Sequence, residues 1–180
     1  MAITIKGKTI LGPSFTVGYT TIGGTKDVYL FDSGVACKFT PTKTGTITGG
    51  YSYLVDNDYP GVPGVNNAMV AVYSNSSTVP LNLLAYSNQN SPIGTYSWVP
   101  FTTFTENVVG GLTLTSGVPI WIAVWTNTPG IIRGAIDTNG SIGQYSENTA
   151  GTFTYPTWGT WNNVALSDFN LSIYLQLSTI

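Results

Sequence analysis

The chain has 180 residues, of which 42% are hydrophobic and 8% are charged, and it contains no His. Six Lys and Arg stand against eight Asp and Glu, so the formal net charge is −2. Without His the chain lacks the most versatile general base and metal ligand, and with so few cations it lacks the dense basic stripe that neutralises phosphates. This composition argues against most enzymatic chemistry, against a cofactor or metal centre, and against nucleic-acid binding.

The length fits one domain that buries a sizeable core. Cys37 is the single cysteine, so an internal disulfide is impossible, and we predict that this thiol is a small buried hydrophobe. No apolar leader segment opens the chain, and no stretch of about 18 apolar residues occurs in it. We therefore expect a protein made in a cytoplasm that neither spans a membrane nor leaves by the general secretory route.

Strand-like runs separated by turn residues recur along the whole chain, and no helix-length window shows apolar residues at spacings of three and four. The sequence therefore predicts an all-β fold, an antiparallel β-sandwich of jelly-roll type. The predicted strands are 2–10, 28–31, 36–39, 46–55, 68–73, 83–87, 96–104, 112–114, 120–125, 131–135 and 171–177.

The last predicted strand alternates most regularly. Leu171, Ile173, Leu175 and Leu177 fall on one face, and Ser172, Tyr174, Gln176 and Ser178 fall on the other. We expect the first face to belong to the core and the second to meet water or a partner. Turn signals include Ser-Gly at 116–117, Asp-Tyr-Pro-Gly at 58–61, Thr-Pro-Gly at 128–130 and Asn-Gly at 139–140.

The first 35 residues differ in composition from the rest of the chain, because they are richer in Gly and Thr. Residues 1–35 are predicted to form either an N-terminal arm or edge strands, and residues 36–180 the sandwich domain. An extended arm of this kind is able to add a strand to a neighbour's sheet, because its backbone hydrogen-bonding groups are unpaired.

Six stretches follow one another in a fixed order from Phe39 onward: 39–48 (FTPTKTGTIT), 70–74 (VAVYS), 83–87 (LLAYS), 97–101 (SWVPF), 114–122 (LTSGVPIWI) and 170–174 (NLSIY). This succession resembles a jelly-roll module found in phage tail and capsid proteins and in bacterial cell-surface proteins. The resemblance implies a β-sandwich used for adhesion, display or particle assembly, and it brings no catalytic residues.

Together these observations lead to two expectations about function. The first is a non-enzymatic virion structural protein, a capsid decoration or tail-associated subunit that assembles with other virion proteins and with its own copies through the N-terminal arm and sandwich surfaces. The alternative is an adhesion module outside the cell or on its surface, which recognises glycans through loop tryptophans.

Aromatic residues supply the candidate contact positions. Trp121 and Trp125 lie four apart in a predicted strand and therefore share a face, opposite Ile120, Ile122 and Val124. The sequence favours burial of this strand on both sides, for example beneath the N-terminal segment. An exposed aromatic platform for sugar rings or a neighbouring subunit is the alternative.

A second candidate group occupies a loop-like stretch rich in Gly, Pro and Asn, where Trp158 and Trp161 are followed by Asn162 and Asn163. Indoles cover the apolar face of a sugar and amides bond its hydroxyls, so the combination is typical of sugar sites. Packing against the end of the sandwich is the interpretation that the sequence favours over ligand contact.

The acidic residues give little support for a metal site or for acid catalysis. Asp56, Asn57 and Asp58 supply oxygens of the kind that bind Ca²⁺, but their position before Pro60 and Gly61 is more typical of a plain turn. Only Glu106 and Glu147 carry the longer carboxylate, so a paired-acid hydrolase is not favoured.

Overall fold

The computed structural model describes residues 3–5, 8–10, 12–30, 34–56, 67–76, 79–92, 94–127, 132–137, 145–148, 161 and 170–180. Every regular element in these ranges is a β-strand. Accordingly, this part of the chain holds no helix of the length and apolarity that crossing a bilayer requires.

The strands, in chain order, are β1 (Ile3–Ile5), β2 (Lys8–Ile10), β3 (Ser14–Gly18), β4 (Thr25–Leu30), β5 (Gly34–Phe39), β6 (Gly45–Asp56), β7 (Asn67–Ser76), β8 (Val79–Ser87), β9 (Ser97–Phe101), β10 (Phe104–Glu106), β11 (Thr113–Leu114), β12 (Ile120–Asn127), β13 (Ile132–Asp137), β14 (Tyr145–Asn148), β15 (Asn170–Leu171) and β16 (Ile173–Thr179).

Two antiparallel sheets pack face to face, which confirms the predicted all-β sandwich. The smaller sheet has the strand order β10-β8-β7-β12-β5-β14. In the larger, eight-stranded sheet the order is β15-β13-β6-β16-β3, with β9 and β11 paired to β6 and β4 paired to β13. The long strand β6 thus organises the larger sheet.

The core lies between the two sheets and is filled by alternate side chains of both. Val70 and Val72 of β7 and Ile122 and Val124 of β12 face Leu175 and other apolar residues of the larger sheet. Alternation with period two produces this arrangement, because one strand face is apolar in each case. The alternation predicted for the last run is confirmed: its four aliphatic residues are buried, whereas Tyr174, Gln176 and Ser178 are partly exposed.

Ser172 departs from that prediction, since it is fully buried instead of facing outward. The backbone bends at this residue between β15 and β16. Its hydroxyl accepts a hydrogen bond from the backbone N–H of Gly23 (2.9 Å), and its carbonyl accepts one from the hydroxyl of Ser52 (3.2 Å). The buried polar groups are therefore paired, which makes the burial tolerable.

Three parts of the strand prediction differ from the structure. The predicted strand 96–104 divides into β9 and β10, and these two belong to different sheets: β9 pairs with β6, and β10 pairs with β8. The predicted strand 2–10 is a hairpin of β1 and β2. Two strands, β3 and β14, lie outside the predicted runs, because their pairing with β16 and β5 is not visible in the local pattern.

Within the first 35 residues, two kinds of structure occur. β3 pairs along its length with β16, and β4 pairs with β13, so both are part of the larger sheet. β1 and β2 instead form a two-stranded sheet of their own. Residues 14–30 are therefore integral to the sandwich, whereas the hairpin at 3–10 has no ladder with either large sheet.

Candidate binding surface

Trp121 and Trp125 lie on the outer face of the smaller sheet and are nevertheless buried, with exposures of 0% and 6%. Ile122 and Val124 point from the same strand into the main core, so β12 is buried on both sides, as the sequence favours. The indole N–H of Trp121 donates to Asn75 Oδ1 (3.0 Å), and that of Trp125 donates to the hydroxyl of Tyr73 (2.9 Å).

Trp161 covers this outer face. Its ring centroid lies 5.2 Å from that of Trp125 and 5.3 Å from that of Tyr73, in edge-to-face contact with both. Trp161 is itself 7% exposed. We call Trp121, Trp125, Trp161 and Tyr73 the tryptophan cluster. It is a second apolar core rather than an open surface, and burial raises the pKa of the Tyr73 phenol well above its usual value.

The structure thus brings together three of the six predicted contact residues, Trp121, Trp125 and Trp161. Trp158, Asn162 and Asn163 lie outside the described residues, as does Asp58. Asp56 ends β6 and pairs in register with Ile132. In the ranges that the structure describes, no three His, Cys, Asp or Glu side chains form a group able to hold a metal ion.

Cys37 is fully buried and has no disulfide partner, which confirms its prediction as a small buried residue. Burial raises the pKa of its thiol to about 12, although the backbone N–H of Leu171 lies 3.3 Å from Sγ and donates to it. The thiol is therefore protonated at neutral pH and is poorly suited to nucleophilic chemistry.

A set of aromatic residues that the sequence did not single out lies on the outer face of the larger sheet. Tyr51 pairs in register with Tyr174 on one side of β6, and Tyr53 pairs with Trp98 on the other. Directly opposed residues of antiparallel strands share a face. Ser52 and Leu54, the neighbours along β6, are buried, so the aromatic residues face away from the core.

These rings form a continuous line, which we call the aromatic strip. It runs Tyr96, Tyr53, Trp98, Tyr174, Tyr51, and consecutive ring centroids lie 5.7, 5.4, 5.1 and 5.0 Å apart. The first and last contacts are stacked, and the two that involve Trp98 are edge-to-face. All five side chains are partly exposed. The rings therefore hold one another in position while part of each remains accessible to a ligand.

Neutral polar groups continue the surface along the same strands. After Tyr174 the next outward position of β16 is Gln176, which pairs in register with Gly49 of β6. The exposed Thr48 lies at the register shift that follows, and its hydroxyl donates to the carbonyl of Gln176 (3.2 Å). Burial, and to a lesser degree the neighbouring Tyr51, raises the pKa of the Tyr174 phenol. The Tyr174 phenol is therefore uncharged at neutral pH and is able to donate and accept hydrogen bonds.

A sequence signal for the strip exists in hindsight. Tyr51, Tyr53, Trp98 and Tyr174 all occupy the polar positions of alternating strands, where Ser or Thr is the more common partner of a solvated face. The pattern shows that each ring faces outward, but not that the rings meet, because Tyr51 and Tyr174 are far apart in sequence. No protein-family model matches the chain, and a search of curated proteins finds no match.

Proposed function

We propose that the protein is a non-enzymatic structural protein of a virion, a β-sandwich that decorates a capsid or belongs to a tail and assembles with other virion subunits and with its own copies. Support comes from the sequence resemblance of residues 39–174 to a jelly-roll module of phage tail and capsid proteins and of bacterial cell-surface proteins. The observation that carries the proposal is the β1–β2 hairpin, which lies outside both large sheets.

The β1–β2 hairpin is too short to be stable on its own. Each strand has three residues, and the register pairs Ile3 with Ile10 and Ile5 with Lys8. An isolated two-stranded hairpin is marginally stable at best in water, whereas a third strand or a packing surface stabilises it. Addition to the sheet of a neighbouring subunit supplies the further strand through backbone hydrogen bonds.

Deleting residues 1–11 tests this proposal, because the deletion removes the hairpin and leaves β3 with its ladder to β16 intact. We expect a folded sandwich with a lower oligomeric mass by light scattering coupled to size-exclusion chromatography. The variant Thr4→Pro, which keeps the chain length but disturbs the hairpin ladder, should have the same effect. An unchanged mass in both variants contradicts assembly through the hairpin.

The virion assignment itself needs a separate measurement. Gold-labelled antibodies against the protein should decorate capsids or tails in electron micrographs of particles released by the producing cells. Label confined to the cell surface, with none on particles, would reject the assignment and favour the second function below.

The second candidate function is a carbohydrate-binding adhesion module. The aromatic strip favours it, since an exposed line of Tyr and Trp next to hydroxyl and amide groups offers both kinds of contact that a sugar makes. A glycan array probed with the purified protein tests this function, and specific signals that survive salt are the expected outcome. Silence across the array argues for assembly alone.

A further inference from the structure

We propose that the aromatic strip is the binding surface for an uncharged polysaccharide. This inference rests on the second function proposed above and names its ligand class and its residues. It moves the sugar site away from Trp158, Trp161, Asn162 and Asn163, of which the described Trp161 is buried against the smaller sheet. The new site lies on the larger sheet, where Tyr51, Trp98 and Tyr174 are partly exposed.

The rings of the aromatic strip are suited to contact with the apolar face of a sugar. A pyranose presents a face of C–H groups, which packs against the negative face of an aromatic ring. Trp98 contacts Tyr53 on one side and Tyr174 on the other, with centroids 5.4 and 5.1 Å away. Because these contacts already restrict the rings, little conformational freedom remains to be lost when a ligand binds.

The strip and the polar residues that continue it carry no charge: they are Tyr, Trp, Thr and Gln side chains of β6, β9 and β16. Charged residues lie beyond one end of the strip, where Asp56 ends β6 and Arg133 of β13 pairs in register with Val55. An acidic glycan would require cations along its path, and a nucleic acid would require more. Thr48 and Gln176 instead offer a hydroxyl and an amide, the groups that hydrogen-bond to sugar hydroxyls.

The rings of the aromatic strip are arranged in a line across three strands, β9, β6 and β16. Consecutive ring centroids lie 5.0 to 5.7 Å apart. A line of rings on the face of a sheet contacts only a small part of one sugar, whereas small-ligand sites are normally concave. A polymer lying along the strip gains contacts at ring after ring, so the geometry favours a polysaccharide over a monosaccharide.

A protein partner fits this surface less well. The centre of a protein interface is usually more apolar than its surroundings, with aromatic residues accompanied by Met and Arg. Hydroxyl and amide groups directly continue the strip along β6 and β16, at Thr48 and Gln176. We therefore take interface formation between proteins as the competing outcome of the experiment.

Native affinity electrophoresis tests the proposal with named probes. Gels containing neutral galactomannan, xyloglucan or dextran should retard the full chain in at least one case, and gels containing polygalacturonate should not. Trp98→Ala and Tyr174→Ala should each weaken binding, so that the dissociation constant obtained from the retardation rises about ten-fold or more. This is the effect expected for a lost stacking contact. Tyr86→Ala, a partly exposed tyrosine of the smaller sheet, is the matched control and should bind as the unmodified chain does.

A second readout follows the fluorescence of Trp98 in the unmodified chain. Trp98 is partly exposed, whereas Trp121, Trp125 and Trp161 are buried. Iodide should therefore quench Trp98 fluorescence, and the retarding polysaccharide should protect it. The variant Trp98→Phe, which keeps a ring and removes the indole, should lose the protectable signal while retaining the fold by circular dichroism.

Three results overturn the proposal, and they differ in meaning. Retardation that survives both Trp98→Ala and Tyr174→Ala leaves the adhesion function standing but places its site elsewhere. Absence of retardation by every neutral polysaccharide, together with a silent glycan array, rejects the adhesion function as well. A fall in oligomeric mass in the strip variants, with no glycan bound, makes the strip an interface between protein subunits.

Discussion

Cys37 shows how one residue follows from its surroundings. It lies on β5 between Ala36 and Lys38 and faces the main core, where its thiol is buried completely. A thiolate in that position would lose its hydration, and this loss outweighs the hydrogen bond that the Leu171 N–H donates to Sγ, so the protonated form is favoured. Burial accordingly raises the pKa of Cys37 from 9.0 to about 12.

This shift makes the free energy of unfolding depend on alkaline pH. The thiol ionises near pH 9 in the unfolded chain but only near about 12 in the folded chain, so the unfolded state releases the proton first. The contribution of Cys37 to stability is therefore constant below pH 9 and should fall by about 1.4 kcal/mol for each pH unit above it, until about pH 12. Urea denaturation at pH 8, 9.5 and 10.5 measures the slope.

Cys37→Ala is the control for that slope, because it removes the titrating group whatever its effect on absolute stability. Between the two pKa values, the slope of the free energy of unfolding against pH should become shallower by about 1.4 kcal/mol per pH unit, which corresponds to one proton. Equal slopes in the two proteins would show that Cys37 does not cause the effect. The native thiol should also resist iodoacetamide at pH 8 and react once urea unfolds the chain.

At the scale of the single strand, β3 depends on the glycine at its end. Gly18 has a φ of 124° and lies directly opposite Tyr174 of β16. A Cβ at this position would meet the carbonyl of Ile173 and would lie 2.7 Å from the Cα of Tyr174. Both the backbone conformation and the close approach of β16 therefore require glycine.

We expect Gly18→Ala to lower the free energy of unfolding by about 1–3 kcal/mol from backbone strain, with a further loss from displacement of β16. Two glycines separate these causes. Gly117 has a φ of 77° and open space on the side where a Cβ would lie, so Gly117→Ala should cost about 1–2 kcal/mol from φ alone. Gly94 has neither constraint, and Gly94→Ala should be nearly neutral.

Chemical denaturation of the three glycine variants under one set of conditions gives the comparison. A Gly18→Ala loss no larger than that of Gly94→Ala would show that β3 adapts freely at its end. In that case the edge of the larger sheet would be less tightly held than the register of β3 and β16 indicates.

At the scale of the whole molecule, two apolar clusters are stacked on the smaller sheet. One is the main core between the sheets, and the other is the tryptophan cluster on the opposite side, closed by Trp161. The central strands β7 and β12 contribute to both clusters and are buried on both faces. The smaller sheet is therefore an interior layer, with the main core on one side and the tryptophan cluster on the other.

Trp161→Ala should therefore act on stability. Removal of a buried Trp typically lowers the free energy of unfolding by about 3–5 kcal/mol, and Trp161 contacts both Trp125 and Tyr73. Trp98→Ala, at a partly exposed position, should lower it by clearly less. Urea midpoints measure the difference, and an unchanged midpoint in Trp161→Ala would contradict its role as a cover for the smaller sheet.

Much of the fold was predictable from local pattern. The alternation of Leu171, Ile173, Leu175 and Leu177 identifies a core face, and burial of Trp121 and Trp125 follows from apolar residues on both faces of one strand. The aromatic strip was not predictable in the same way. Tyr51, Trp98 and Tyr174 come from three strands, and their contacts depend on register between distant segments.

The sequence by itself determined the all-β class, the inward face of most strands, and the burial of the lone Cys37, because alternation and composition are local properties that hold in any packing. The tertiary structure alone decided which sheet each strand joins. The run from 97 to 106 shows this best, since β9 pairs with β6 and β10 with β8 across two residues. Such pairing is selected by long-range burial and backbone hydrogen bonding, which no short window of residues contains.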